Sequence, residues 1–431
     1  MHRHQTIYMK VLYLLSGFIL GSDAVFAQEP IPTKLIGAMA DSLYASKNYL
    51  AATRCYIARA EAADFKWEKS TSYYNAACCL SLQQKKDSAF TYLKKAISAG
   101  YNNKKILLTD ADFVALHPDS RWSKIVNSVK KQDGLNDDPA KARFVTDDIH
   151  RFWKAYHKAQ KDTSHYKAIF KREYFDKSTR GMDDYMALKV NGFDAFITHI
   201  RSAPKFYASI EKNTLAVDAY KENFLKAFQA FKRIYPAAKF PDVYFVIGAF
   251  TSAGTVSDEG LLIGLNQTCQ TDDTPVDEFN FRLRTRMNKL ALLPYVIPHE
   301  MIHFQQSGLK SDTTTLKYAI VEGMADFLGE LVSGGNPNAV LYKWAEGKER
   351  TIWDKFKKDM FLNKYDNWIG NSSQATPDNL PDQGYWVGYQ ICKAYYDKAL
   401  DKQKAVNEML HIQDYKLFLE QSGWEQKVPE R

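Results

Sequence analysis

Apolar positions recur at helical spacing through most of the chain, and the places where that spacing changes divide it. From Thr33 the chain opens with paired amphipathic helices. Tyr49, Ala52 and Tyr56 of one pair correspond to Lys86, Ala89 and Leu93 of the next, an offset near the ~34-residue period of stacked helix pairs. A small Ala at the repeated position lets neighbouring helices approach closely. The polar stretch Lys130 to Pro139 contains Gly134 and Pro139, breaks any helix and predicts a domain boundary. Beyond it, Phe144, Ile149, Phe152, Trp153 and Tyr156 form one apolar stripe, and Phe224, Phe228, Phe231 and Ile234 another, so helices are expected from Phe144 to Tyr235. After Pro241 the period shortens. Asp242 to Ile247 reads as a strand and Gly260 to Leu265 as a second, separated by the turn-rich passage Gly248 to Glu259. A small sheet inside helical surroundings argues for an α+β, mostly helical fold rather than a doubly wound parallel sheet.

The first residues follow another logic. Arg3 and Lys10 precede the apolar run Val11 to Leu20, and Val25 and Ala27 have the spacing that signal peptidase accepts. A signal peptide over 1–27, cleaved after Ala27, is expected, with an uncleaved membrane anchor as the competing reading; the run is about half of the roughly 20 residues needed to span a bilayer. No Cys lies near the cleavage site, so a lipid anchor of the usual bacterial kind is not expected. The product would be exported, periplasmic or secreted or held at the cell envelope, with no transmembrane segment once the leader is removed. Of 431 residues, 45% are hydrophobic and 14% aromatic, which excludes a disordered chain. The net charge of +8 is spread without basic blocks and therefore indicates no nucleic-acid partner. Five cysteines, Cys55, Cys78, Cys79, Cys269 and Cys392, show no CxxC spacing; buried free thiols are expected, or one incidental bridge.

The chemistry concentrates at His299-Glu300-Met301-Ile302-His303, inside a helical stretch from Tyr295 to Gln306 that Pro298 is suited to start. Residues four apart share a helix face, so both imidazoles can reach one Zn²⁺ ion while Glu300 faces a metal-bound water. An open zinc site needs a third protein ligand. The next helix supplies Glu322, with eighteen residues between it and His303. With two imidazoles and one carboxylate as ligands, Glu300 is the expected general base for hydrolysis of a peptide bond. Of the other histidines, His150, His157, His165, His199 and His411 have no partner spacing and are expected at the surface or satisfied in the interior. Gln306, one turn after His303, is expected as an exposed helix residue, with contact to the site as the competing reading.

The spacing HExxH-x18-E resembles the glutamate-zincin clan of metallopeptidases, including thermolysin and the zinc aminopeptidases. That resemblance implies a single Zn²⁺ held by His299, His303 and Glu322, with Asp326 accepting the N–H of His299. It also implies a tyrosine beyond the Glu ligand that stabilises the oxyanion, Tyr385 first and Tyr389 second. An extended substrate would lie along Asp242 to Ile247 or along Gly254-Thr255. The segments Tyr244 to Gly248, Gly254 to Val256, Leu262 to Gly264, His299 to Gln306, Glu322 to Asp326 and Gly384 to Tyr389 together resemble predicted zinc-dependent proteases related to the gliding-motility lipoprotein family of Bacteroidetes, over roughly 143–423. Tyr74 to Leu80 with Asp87 to Ile97 resembles a tetratricopeptide repeat.

The expected organisation is a signal peptide, a tetratricopeptide-like unit over 33–132 and a zincin-like metallopeptidase domain over 143–425. The partner would be a peptide or protein substrate, with a protein partner at the repeats or a mere spacer role for them. The enzyme would be an endopeptidase, since no second acidic motif to hold a free amino terminus is visible. The alternative is a noncatalytic envelope interaction or assembly protein with a structural or degenerate zinc site.

Overall fold

The computed structural model describes residues 33–129, 135–190, 192–284, 286–376 and 378–428. The leader expected over 1–27 lies outside them, as does 130–134 of the polar stretch. The architecture is mostly helical with one four-stranded sheet, in keeping with the α+β expectation. Among the described residues no helix is long and apolar enough to cross a membrane.

Helices α1 (Thr33–Ala45), α2 (Tyr49–Ala62), α3 (Lys66–Leu82) and α4 (Lys86–Ser98) each pack on the next, and α5 (Ser120–Ser128) follows. The repeated Ala52 and Ala89 are fully buried, as close helix approach requires. Their cores, around Tyr56 and Cys79 and around Phe90, Leu93 and Phe113, are separate from the large core of the rest of the chain. Two residues cross over, Phe65 and the partly buried Trp67 beside it. Phe65, in the turn between α2 and α3, joins the large core and packs edge-on against Phe175 at 5.1 Å.

The second part begins with strand β1 (Phe144–Val145) and helix α6 (Asp147–Lys161). Phe144 is thus a strand residue and not the start of the helical stripe; it pairs with Val243 in parallel register, which a two-residue strand cannot announce by periodicity. After α7 (Arg180–Lys189) and α8 (Lys221–Ile234) come β2 (Val243–Val246), β3 (Gly254–Ser257) and β4 (Gly260–Gly264). The sheet order is β1-β2-β4-β3, parallel except for β3, which runs antiparallel to β4 at the edge. The strands expected around 242–247 and 260–265 are present; β3 emerges from what the sequence reads as turn, because its two strand formers, Thr255 and Val256, are flanked by Gly254 and Ser257 and make too short a run to stand out.

Helices α9 (Leu293–Gln305), α10 (Thr315–Ser333), α11 (Ala339–Ala345) and α12 (Gln383–Lys398) complete the part that matters for the site. Helices α10 and α12 cross at Gly323 and Gly388: a β-carbon on Gly388 would lie 1.8 Å from the carbonyl oxygen of Ala319. All five cysteines are free and buried, as expected.

Candidate metal centre

Helix α9 starts at Leu293 with Pro294 in its first turn, so Pro298 lies inside the helix and not at its start. Its ring removes the N–H that would meet the Pro294 carbonyl and crowds that carbonyl, the usual cost of a proline inside a helix. His299 and His303 follow on one face, and α10 packs against α9 and brings Glu322 to the same point. The Nε2 atoms of the two histidines are 3.1 Å apart, and Glu322 Oε2 is 3.1 Å from His303 Nε2 and 3.7 Å from His299 Nε2.

Each imidazole is oriented from behind. His299 Nδ1 lies 2.8 Å from Oδ1 of the fully buried Asp326. A carboxylate only accepts, so Nδ1 carries the proton and Nε2 presents a lone pair. His303 Nδ1 lies 2.9 Å from Gln306 Oε1, and the Gln306 amide is fixed in that sense because its Nε2 donates to the Val321 carbonyl at 2.8 Å. Gln306 is therefore a ring-orienting residue, the second of the two readings the sequence left open, and not an exposed helix side chain. Asp326 also accepts from Asn338 Nδ2 at 2.9 Å and from the Tyr342 hydroxyl at 2.9 Å. Both lie in or just before α11, and no sequence spacing ties them to HExxH.

Two lone pairs and a carboxylate thus converge with no proton of their own between them. Ligands at about 2.0–2.1 Å around one tetrahedral zinc lie roughly 3.3 Å apart, which matches this spacing. The residues fit a zinc ion. Without it, protons compete for the same atoms. Burial opposes charge on His299, but Asp326 and Glu322 outweigh it and hold the ring well above its ordinary value. Burial likewise opposes charge on His303, and Glu322 raises it. Burial would raise Glu322, but His303 and His299 hold it well below the usual carboxylate range.

Glu300 rests against β3. A β-carbon on Gly254 would fall 2.1 Å from Glu300 Oε1, so this position is close-approach space for the carboxyl. Burial pushes the Glu300 carboxyl up, with His299 and His303 opposing. Of the two tyrosines, Tyr385 reaches the site: its ring lies parallel to that of His299, 6.0 Å between centroids, and its hydroxyl faces Glu322. Tyr389 does not. It packs against Tyr342 at 4.8 Å and Phe327 at 5.5 Å, and its hydroxyl faces Glu330, because one helical turn along α12 carries it behind the Asp326 layer. Of the two segments expected to border the substrate, β2 is interior to the sheet and β3 is the edge.

The family described as gliding motility protein GldB matches residues 136–426. The chain belongs to this family. No curated protein and no solved structure matches it. The GldB match excludes α1 to α5 and includes every residue of the candidate centre. Membership fits association with the cell envelope.

One other grouping, Cys78, Asp110 and Asp112, brings ligand-type atoms within 4.8 Å of one another. Its carboxylates are already engaged: Asp110 accepts from Tyr74 at 2.6 Å and from the Asp112 amide at 3.0 Å, and Asp112 accepts from Tyr44 at 2.7 Å. These bonds tie a helical turn to α1 and α3 and leave the group a structural role.

Proposed function

We propose that this GldB-family chain is an exported zinc-dependent peptidase of the cell envelope, with a zincin-like domain preceded by a tetratricopeptide-like unit. The reading is carried by one observation: His299, His303 and Glu322 converge at zinc-ligand spacing with both imidazoles oriented through Nδ1. A zinc ion held there would supply Lewis acidity and a water of lowered pKa. Glu300, lodged between α9 and β3, takes the proton of the attacking water on its carboxylate and returns it to the leaving amine. The Tyr385 hydroxyl donates to the oxyanion that develops on the scissile carbonyl. The open edge of β3 aligns an extended peptide by main-chain hydrogen bonds.

A second reading, a noncatalytic envelope assembly protein whose metal site is structural or degenerate, is favoured by membership of a gliding motility family. Glu300 separates the two, since a structural site does not need it. Purified wild type should hold about one zinc and cleave a peptide library. Glu300→Gln should keep the zinc and lose cleavage by at least about 10²-fold. Zinc in both proteins with cleavage by neither supports the second reading with a structural site, and a zinc-free wild type overturns the peptidase and leaves only the degenerate site.

A further inference from the structure

The helices before the GldB match are not a loose appendage. The turn between α2 and α3 seats Phe65 in the main core, Lys171 Nζ donates to the Asp64 carbonyl at 2.8 Å, and α3 packs on α7. At the far end of the unit, the loop after α4 meets the sheet. Tyr101 stacks on Tyr74 of α3, centroids 4.2 Å apart, and this holds the next residue, Asn102, over the β3–β4 turn. There the Asn102 amide donates to Glu259, a carboxylate only 7% exposed that also faces Arg180 at 4.0 Å.

Glu259 is the last residue of the two-residue turn joining Ser257 to Gly260. The turn's geometry favours rigid transmission. The Glu259 amide donates to Ser257 Oγ at 3.1 Å, and Gly260, at φ +145°, lies so close to Asp242 that a β-carbon would meet its carbonyl at 2.2 Å. β4 is therefore locked to β2, whereas β3 has one ladder partner and an open edge. From the turn to Gly254 is roughly 15 Å of strand. Gly254 is where β3 carries the Glu300 carboxyl.

We propose that Asn102 is a positioning residue: through Glu259 the N-terminal helical unit clamps the β3–β4 hairpin and so fixes the strand that walls Glu300. The clamp gives the unit a role inside the molecule, and anything that draws the loop after α4 away from the sheet loosens the site. The inference rests on geometry alone and holds whether or not the centre binds zinc or cleaves peptides.

Amide hydrogen exchange on the full-length chain tests it. In Asn102→Ala, the β3 amides that pair with β4 should exchange roughly tenfold faster, with α9 and α10 unchanged. Asn102→Asp, which sets two carboxylates against each other, should do the same. Asn102→Asp combined with Glu259→Gln exchanges donor for acceptor across the same contact and should restore protection. Unchanged β3 protection in Asn102→Ala overturns the proposal. So does an equal loss of protection across α9 and α10, which would make the contact general fold stabilisation, or failure of the swapped pair to recover.

Discussion

Glu300 and Gly254 touch so closely that no side chain fits between them: a β-carbon at 254 would lie 2.1 Å from Oε1 and 2.3 Å from Cδ of the glutamate. Adding one methyl group must therefore displace the carboxyl or the strand. Misplacement of a catalytic group by about 1 Å costs on the order of 10²-fold in rate. If the proposed function holds, Gly254→Ala should keep its zinc, since the atoms nearest the new methyl all belong to Glu300 and not to His299, His303 or Glu322, and should lose peptide cleavage by about that factor. Metal analysis beside a cleavage assay reads both; cleavage at the wild-type rate would remove β3 from the site.

Asp326 is the buried anchor of His299. It takes hydrogen bonds from Asn338 and Tyr342 as well as from the ring, and its carboxylate is wholly enclosed. Replacing the carboxylate with an amide puts an N–H₂ where only acceptors are wanted and frees the imidazole tautomer. Asp326→Asn should weaken zinc binding about 10- to 100-fold. A competitive titration with a zinc-binding dye measures this directly. Unaltered affinity would mean that the ring is held by packing and not by Asp326.

The convergence of His299, His303 and Glu322 was legible because residues four apart share a helix face, so HExxH and a Glu on the following helix state their geometry in one dimension. Asp326 was legible for the same reason, one turn from Glu322. Gln306 was only half legible: it lies just past the end of α9, where an amide turned back on His303 has the same sequence signal as one facing water, so both readings stay open. Asn338 and Tyr342 come from another element, and their approach depends on how α11 packs. The ambiguity between Tyr385 and Tyr389 is likewise one of helix rotation, settled when Gly388 lets α12 lie against Ala319. In the fold, long apolar periods gave the helices. β1 and β3 stayed hidden, both too short for a period to show and β3 set among turn residues, and their strand state is fixed by the ladders they complete.

That crossing yields a stability prediction. Gly388→Ala would put a methyl carbon 1.8 Å from the Ala319 carbonyl oxygen, which is backbone and cannot rotate away. Helices α10 and α12 would have to separate, loosening the layer that holds Glu322 and Tyr385. Overpacking of this kind costs about 1–3 kcal/mol and can exceed that. Urea denaturation of Gly388→Ala should show a midpoint lowered accordingly, with an unchanged slope. A midpoint equal to wild type would mean that the helices tolerate a wider spacing.

His199 supplies the pH dependence. Sequence placed it at the surface or satisfied in the interior. In the structure it is half-buried against Phe250 at 5.1 Å, Tyr207 at 5.8 Å and Phe279 at 6.2 Å, and its Nε2 is buried with no hydrogen-bond partner. Burial among these rings disfavours the charged imidazolium and pushes its pKa from 6.5 down to about 4. Between those values the unfolded chain binds more protons than the folded one at this residue, so its contribution is present above pH 6.5 and is lost as pH falls towards 4. His199→Phe keeps a ring of similar shape and removes the titration. Urea midpoints of both proteins at pH 7.5 and pH 4.5 should show the wild type losing more stability on acidification, by more than about 1 kcal/mol. Because every other titrating group is shared, parallel losses in the two proteins would show that His199 is solvated or paired in solution.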